Sequence, residues 1–166
     1  MNKCTTTKAE QKESVCKLNL YSEELYLIKK QQPILIGIDL LREHERIDRQ
    51  YCNRLKNRIK KDGIIKRAIA VDYNTNIILD GHHRLNALKE LGCKIIPAIL
   101  VDYQSPLIQV ESRKNGEINK NIVITAGLTQ HKLPPKTSRH TIINQGLSKH
   151  ISFIEKIVNI PLSDLI

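Results

Sequence analysis

The sequence lacks any long apolar run: nothing in its 166 residues approaches the roughly 18 consecutive apolar residues of a membrane-spanning helix. Its opening, MNKCTTTKAEQKES, also lacks the apolar stretch of a secretory signal. These absences lead us to expect a cytoplasmic protein with no membrane partner. Cysteines are sparse, and Cys4, Cys16, Cys52 and Cys93 stand 12, 36 and 41 positions apart. No C-x-x-C pair is formed, so a zinc site, a redox motif and a disulfide framework are all unexpected. With only 7 glycines and 6 prolines, collagen-like and low-complexity readings are excluded. Acidic residues are in deficit, 17 against 27 Lys and Arg, which leaves a net charge of +10. What remains is 40% hydrophobic, enough for a core, in a chain of one-domain length.

Residues 1 to 17 have hardly any apolar periodicity and read as a flexible N-terminal segment, with the domain proper over 18 to 166. LNLYSEELYLI (18 to 28) reads as a strand end or short helix, and PILIGIDLL (33 to 41) as a strand leaving into a loop. Ile47, Tyr51, Leu55 and Ile59 recur every four residues, which predicts a helix ended by Gly63. AIAVDY (68 to 73) and NIILD (76 to 80), split by Asn74-Thr75, predict a hairpin. GHHRLNALKELG (81 to 92) reads as a helix with Leu85, Leu88 and Leu91 on one stripe, followed by a strand over KIIPAILVDY (94 to 103). The segment from Lys114 to Thr129 is not plainly helical, whereas Leu147, Ile151, Ile154 and Val158 show helical spacing. This alternation predicts an α+β (mixed α/β) layer structure, a small mixed sheet flanked by helices.

Three clusters carry chemistry. In the first, Asp80-Gly81-His82-His83-Arg84 joins a strand to the first turn of a helix. Unpaired N–H groups and the positive end of the helix dipole suit phosphate there, although an N-cap aspartate with solvated neighbours would look the same. In the second, two prolines stiffen the chain just before Lys136, Thr137, Ser138, Arg139 and His140, groups able to hold a polyphosphate or a small anion. In the third, Arg42-Glu43-His44-Glu45-Arg46 sets two carboxylates among cations, where one could act as a general base or simply favour a helix start.

Together, I-L-D-G-H-H-R-x-x-A-L (Ile78 to Leu88), preceded by L-x-x-H-E (Leu41 to Glu45) and followed by L-P-P-K-T-S-R-H (Leu133 to His140), resemble the ParB/sulfiredoxin-like superfamily. More narrowly, they are similar to the free L-serine kinases, and the resemblance runs from about Pro33 to Ile166. It implies a phosphotransferase that moves a phosphoryl group from ATP or ADP to the hydroxyl of free L-serine, giving O-phospho-L-serine. Glu45 matches the catalytic base, with Glu43 as the alternative register, and Asp80 matches the aspartate near serine and metal. Gly81, His82, His83 and Arg84 would cradle the nucleotide phosphates together with Lys136, Thr137, Ser138, Arg139 and His140. Asp80, Thr137, Arg139 and His140 would also meet the serine. Mg²⁺ is the implied companion, because phosphoryl transfer needs the transferring charge neutralised. The resemblance is compatible with a monomer or a homodimer. One departure is that the family's tryptophan near the substrate is missing, and Val110-Glu111-Ser112-Arg113 stands in that region.

The charge supports a rival. Arg42 to Arg67 holds ten Lys or Arg and four Asp or Glu, a stripe that could bind nucleic-acid phosphates, as expected of a ParB-like nucleotide- and DNA-binding module without kinase activity. Such proteins add a helix-turn-helix reader after the nucleotide module, and residues 141 to 166 are too few for one. A sulfiredoxin-type reductase needs a cysteine in the phosphate turn, where this sequence has histidine.

Overall fold

The computed structural model describes residues 22–166 apart from 29, 115 and 145. The segment expected to be flexible, 1 to 17, lies outside the described residues. Residues 22–28 are helical (α1), and β1 (Ile34–Gly37) runs into a 3₁₀ turn, Ile38–Leu40, as the alternation in that stretch implies. Helix α2 (Arg49–Asp62) starts on Asp48, whose carboxylate accepts the Tyr51 N–H at 3.1 Å, and ends at Gly63 in the left-handed conformation. After α2 come β2 (Ile64–Arg67), β3 (Ile69–Asp72), β4 (Ile78–Asp80), α3 (His82–Glu90) and β5 (Ile95–Val101). The chain continues through β6 (Ile108–Ser112), α4 (Lys120–Thr129), β7 (Ser138–Asn144), β8 (Leu147–His150) and β9 (Ile157–Pro161).

The central sheet has the order β1-β5-β3-β4, with β3 and β5 parallel and the other pairs antiparallel. Both of its faces are covered, and the side-chain period of two shows it. Ile69 and Val71 of β3, Ile78 of β4 and Ile96 and Ala98 of β5 pack with Leu85 and Leu88 of α3 and with Cys52 and Ile59 of α2. Their alternates Ala70, Leu79, Ile99 and Val101 pack with Tyr103, Ile108, Val123 and Ile142 on the opposite side. A meander, β6-β7-β8, covers this second face, and a β2-β9 ribbon closes the molecule. Among the described residues no helix is long and apolar enough to cross a membrane. Cys52 and Cys93 are buried free thiols, while Cys4 and Cys16 lie outside the described residues.

Two sequence expectations are corrected. Leu147 to Val158 is not a helix: Leu147 belongs to β8, Ile151–Ile154 form a 3₁₀ turn, and Val158 lies in β9. Strand pairing to β7 and β2 outweighs the four-residue spacing, which here marks only contacts of Ile151 and Ile154 with the core. The stretch after Lys114 does contain a helix, α4, with Asn119 accepting the Ile122 N–H at 3.0 Å as its N-cap.

Candidate active site

The segment from Arg42 to Arg46 is stitched into the fold at both ends. Arg42 donates its N–H to the Asn76 carbonyl and accepts from the Ile78 N–H, while Leu133 donates to the His44 carbonyl and accepts from the Arg46 N–H. Short parallel bridges, Arg42 with Ile77 and Glu45 with Leu133, thus hang this segment between β4 and the proline-bearing loop. This backbone pairing makes neighbours of Glu45 and Gly81, the turn after β4, 36 positions apart in sequence.

The cleft so formed has a volume of about 240 Å³ and is lined by Glu45, Tyr51, Leu79, Asp80, Gly81, His82, His83, Arg113, Lys136 and Ser138. At its floor, Gly81 has φ +109° and precedes the first turn of α3. A β-carbon there would stand 2.3 Å from Ile69 Cγ2, so only glycine lets the helix N-terminus sit this close to the sheet. The unpaired N–H groups of that first turn make this end of α3 suited to anions.

Both Glu45 oxygens are engaged by the second motif. Oε1 accepts from the Lys136 N–H, and Oε2 accepts from the N–H groups of Thr137 (3.1 Å) and Ser138 (3.0 Å) and from the Ser138 hydroxyl (2.8 Å). Lys136 takes φ +58°, which turns these amides onto one carboxylate. Glu43, two positions earlier, faces elsewhere and is held by Asn86 (2.7 Å), Lys132 (3.0 Å) and Lys89 (3.5 Å). Glu45 therefore lines the cleft and the alternative register does not.

Histidines crowd the floor. His44 lies edge-on to His82 and to His140, with ring centroids 4.6 and 5.4 Å apart. Burial pushes His44 down to about 4, and burial with the neighbouring histidines holds His82 and His140 well below the usual imidazole range. His82 Nε2 is buried with no hydrogen-bond partner. His83 Nε2 accepts the Asp48 N–H at 3.0 Å, so the neutral ring carries its hydrogen on Nδ1. Tyr51 packs edge-on against it at 4.8 Å.

Several expected site residues do not line the cleft. Arg84 is turned behind the phosphate turn, donating to the Ala68 carbonyl (2.6 Å), to Asp80 (2.6 Å) and to both oxygens of Glu155. His140 is buried, its Nε2 2.9 Å from the Tyr103 hydroxyl. Arg139 alternates to the other face of β7, where it approaches Glu111 at 3.9 Å, and the Thr137 hydroxyl bonds the Pro134 carbonyl at 2.8 Å. In the opposite direction, Tyr51 and Arg113 line the cleft although the motifs did not single them out for it. The helical stripe disguised Tyr51 as core; in the structure it is 46% exposed. The basic helix α2 contributes Tyr51 but none of its cations to the cleft lining, and two of those cations, Arg49 and Lys56, clamp Glu90 of α3.

No protein-family model matches the chain. In sequence it is similar to an ATP-dependent L-serine kinase of Staphylothermus marinus, 38% identical over 80 residues, covering 46% of this chain and 32% of the relative. It is also similar to a ParB-like protein of Sulfolobus acidocaldarius, 41% identical over 70 residues, covering 42% and 35%. The chain thus aligns with about a third of the length of these relatives. Among solved structures, a free serine kinase in complex with AMP superposes with a TM-score of 0.69 at 13% identity, covering 82% of this chain and 95% of that one. The fold is that of the free serine kinases. Within this free serine kinase fold, the cleft lies where β4 meets α3.

Proposed function

We propose that the protein is a free L-serine kinase, transferring a phosphoryl group from ATP or ADP to the serine hydroxyl to give O-phospho-L-serine. The observation that carries this reading is the meeting of three motifs, more than 90 positions apart at the extremes, around one cleft: Glu45, the Lys136 to Ser138 amides that grip its carboxylate, and the Gly81 turn at the floor. The similarity to L-serine kinases supports the substrate class.

In the mechanism, the first-turn amides of α3 and the His83 Nδ1–H receive nucleotide phosphate oxygens, and the Lys136 and Arg113 side chains add positive charge from the rim. Neutral histidines suit this role, because they donate hydrogen bonds to phosphate without drawing the Glu45 carboxylate into an ion pair. Glu45 accepts the serine hydroxyl proton at Oε1, which has a single amide donor and a lone pair to spare. Asp80, fixed by Arg84, orients the acceptor amino acid at the mouth of the phosphate turn. Among the described residues no cluster of three or more His, Cys, Asp or Glu is arranged to hold a metal ion. Mg²⁺ therefore fits as an ion carried by the nucleotide phosphates, whose charge it neutralises. Thr137, Arg139, His140 and Arg84 act in this proposal by shaping the two walls. The assignment extends to a single domain from residue 18 onward and to the reducing cytoplasm, where the two buried free thiols are at home.

The deciding experiment incubates the protein with Mg²⁺, free L-serine and either ATP or ADP, with threonine, homoserine and no amino acid as controls, and looks for phosphorylated product by mass spectrometry. Phosphoserine from one donor establishes the reaction and identifies the donor. Bound nucleotide with no product from any amino acid would replace the kinase by a nucleotide-binding module.

A further inference from the structure

We propose that His44 and the Ser138 hydroxyl form a hydrogen-bond toggle that sets the proton affinity of Glu45, so that His44 is a positioning residue for proton transfer. The inference rests on the reading of Glu45 as the base. His44 Nδ1 lies 2.9 Å from the Ile78 carbonyl, which can only accept, so this nitrogen carries the hydrogen. In the neutral ring Nε2 is then a bare acceptor, and it lies 2.9 Å from Ser138 Oγ. The same Oγ lies 2.8 Å from Glu45 Oε2. One hydroxyl hydrogen thus faces two acceptors, and it can satisfy only one of them at a time.

Which one it serves depends on the charge of Glu45. As a carboxylate, Glu45 offers the stronger acceptor, and the hydroxyl joins the Thr137 and Ser138 amides on Oε2. During transfer the substrate O–H bond breaks and an O–H bond forms at Oε1. The electron pair left on the substrate oxygen forms the new bond to phosphorus, and the bond to the departing nucleotide breaks with its electrons. Once the carboxyl group is neutral, the Ser138 hydrogen turns to His44 Nε2. No proton travels along the pair, because only a hydrogen bond changes partner.

The hydroxyl differs from the amides in this respect. The three backbone N–H groups are fixed on the carboxylate whatever its charge, whereas the Ser138 hydroxyl can turn to His44 Nε2 when the charge disappears. The other groups facing His44 are Glu43 and Glu45 on its own segment, His82 of α3 and His140 of β7, and across the cleft Glu45 meets Asp80, His83, Arg113 and Lys136. None of them competes for His44 Nε2 in the structure.

The test follows the Glu45 side-chain carboxyl carbon by NMR through a pH titration of the nucleotide-free protein, with Glu45→Gln assigning the resonance. Ser138→Ala removes a donor to the carboxylate and should raise the titration midpoint, whereas His44→Phe traps the hydroxyl on Glu45 and should lower it, each by roughly half a pH unit or more. Ser138→Thr should restore the wild-type midpoint, and His44→Phe should have no effect in a Ser138→Ala background. The acidic limb of kcat/KM should move in the same two directions. Shifts in the same direction, or an undiminished His44→Phe effect without the Ser138 hydroxyl, would overturn the toggle. Should the Phe variant not fold, the ¹⁵N shift of His44 Nε2 decides, since it must change in Ser138→Ala and an unchanged shift overturns the proposal. Opposite midpoints without phosphoserine formation would sink the kinase reading alone; phosphoserine formation with parallel midpoints would sink the toggle alone.

Discussion

Strand β4 has a buried polar cluster on either side, and the two are built from opposite materials. His44, His82 and His140 form a cluster held neutral by burial, and two of the rings are pinned by consecutive carbonyls, His44 by Ile78 and His140 by Leu79. Asp80, Arg84 and Glu155 form a charged cluster, in which burial and the Asp80 carboxylate push Glu155 up to about 8 despite the guanidinium beside it. Neutral rings on backbone carbonyls keep their geometry without a counter-ion, so the floor of the cleft stays free to receive one from a ligand. Charges must be balanced within the fold, and Arg84, the residue most like a phosphate ligand in the sequence, is consumed in doing so. The same local motif, D-G-H-H-R, therefore contributes two histidines to the cleft and an arginine to the scaffold.

Breaking the charged cluster should have the largest effect. Arg84→Ala leaves Glu155, whose side chain is 2% exposed, facing Asp80 without its cation, and should cost about 3–5 kcal/mol in denaturant unfolding. A loss below about 1 kcal/mol would show that the guanidinium is a bystander. Next, Glu45→Gln should lower turnover on the order of 10²-fold or more with nucleotide affinity almost unchanged by calorimetry. Near-normal turnover would remove Glu45 from the chemistry. Gly81→Ala, which forces a β-carbon at φ +109° against Ile69, should destabilise by about 1–3 kcal/mol and weaken nucleotide binding together.

A pH series sharpens the comparison, because the two clusters carry opposite signs. For the histidines, depressed in the fold, stability is present above the ordinary value of 6.5 and is lost as pH falls, through about 4 for His44. For Glu155, raised in the fold, the contribution is present below its ordinary value of 4.5 and is lost as pH rises through about 8. Melting temperatures of the wild type and of Glu155→Gln should then differ in their slope between about pH 4.5 and 8 and run parallel outside that window. A Glu155→Gln variant that instead changes the slope below about pH 4.5 would contradict the assignment of that limb to the histidines. The smallest effect belongs to the surface: Lys66→Ala, which breaks only an exposed i,i+4 pair with Asp62, should stay within about 0.5 kcal/mol.

Much of the scaffold could be read from local pattern. The helix over Arg49–Asp62 announced itself by spacing and a terminal glycine, and the hairpin of β3 and β4 by two β-rich runs around Asn74-Thr75. The end of the chain could not, since Leu147 to Val158 has helical spacing but finds strand partners in β7 and β2, which no local signal names. The candidate site divides the same way. Glu45, Asp80, Gly81, His82, His83, Lys136 and Ser138 were recognisable as motif residues and do line the cleft. Arg84, Arg139 and His140 share those motifs but face away, because alternation along β7 and the position of Glu155 decide where they point. His44 was visible as the histidine of L-x-x-H-E, between two carboxylates, but with no role attached to it.

By itself, the sequence determined the mixed α+β class, the glycine turn before α3, the stiff loop after the two prolines and the residue types able to bind phosphate. These follow from backbone preferences and short-range spacing, which act within a few residues. The tertiary structure alone decided which of two glutamates faces the cleft, that Arg84 braces the phosphate turn from behind, and that one serine hydroxyl lies between His44 and Glu45. Each of those outcomes depends on hydrogen-bond partners between 4 and 94 positions away, whose direction is fixed only when the sheet closes and both of its faces are packed.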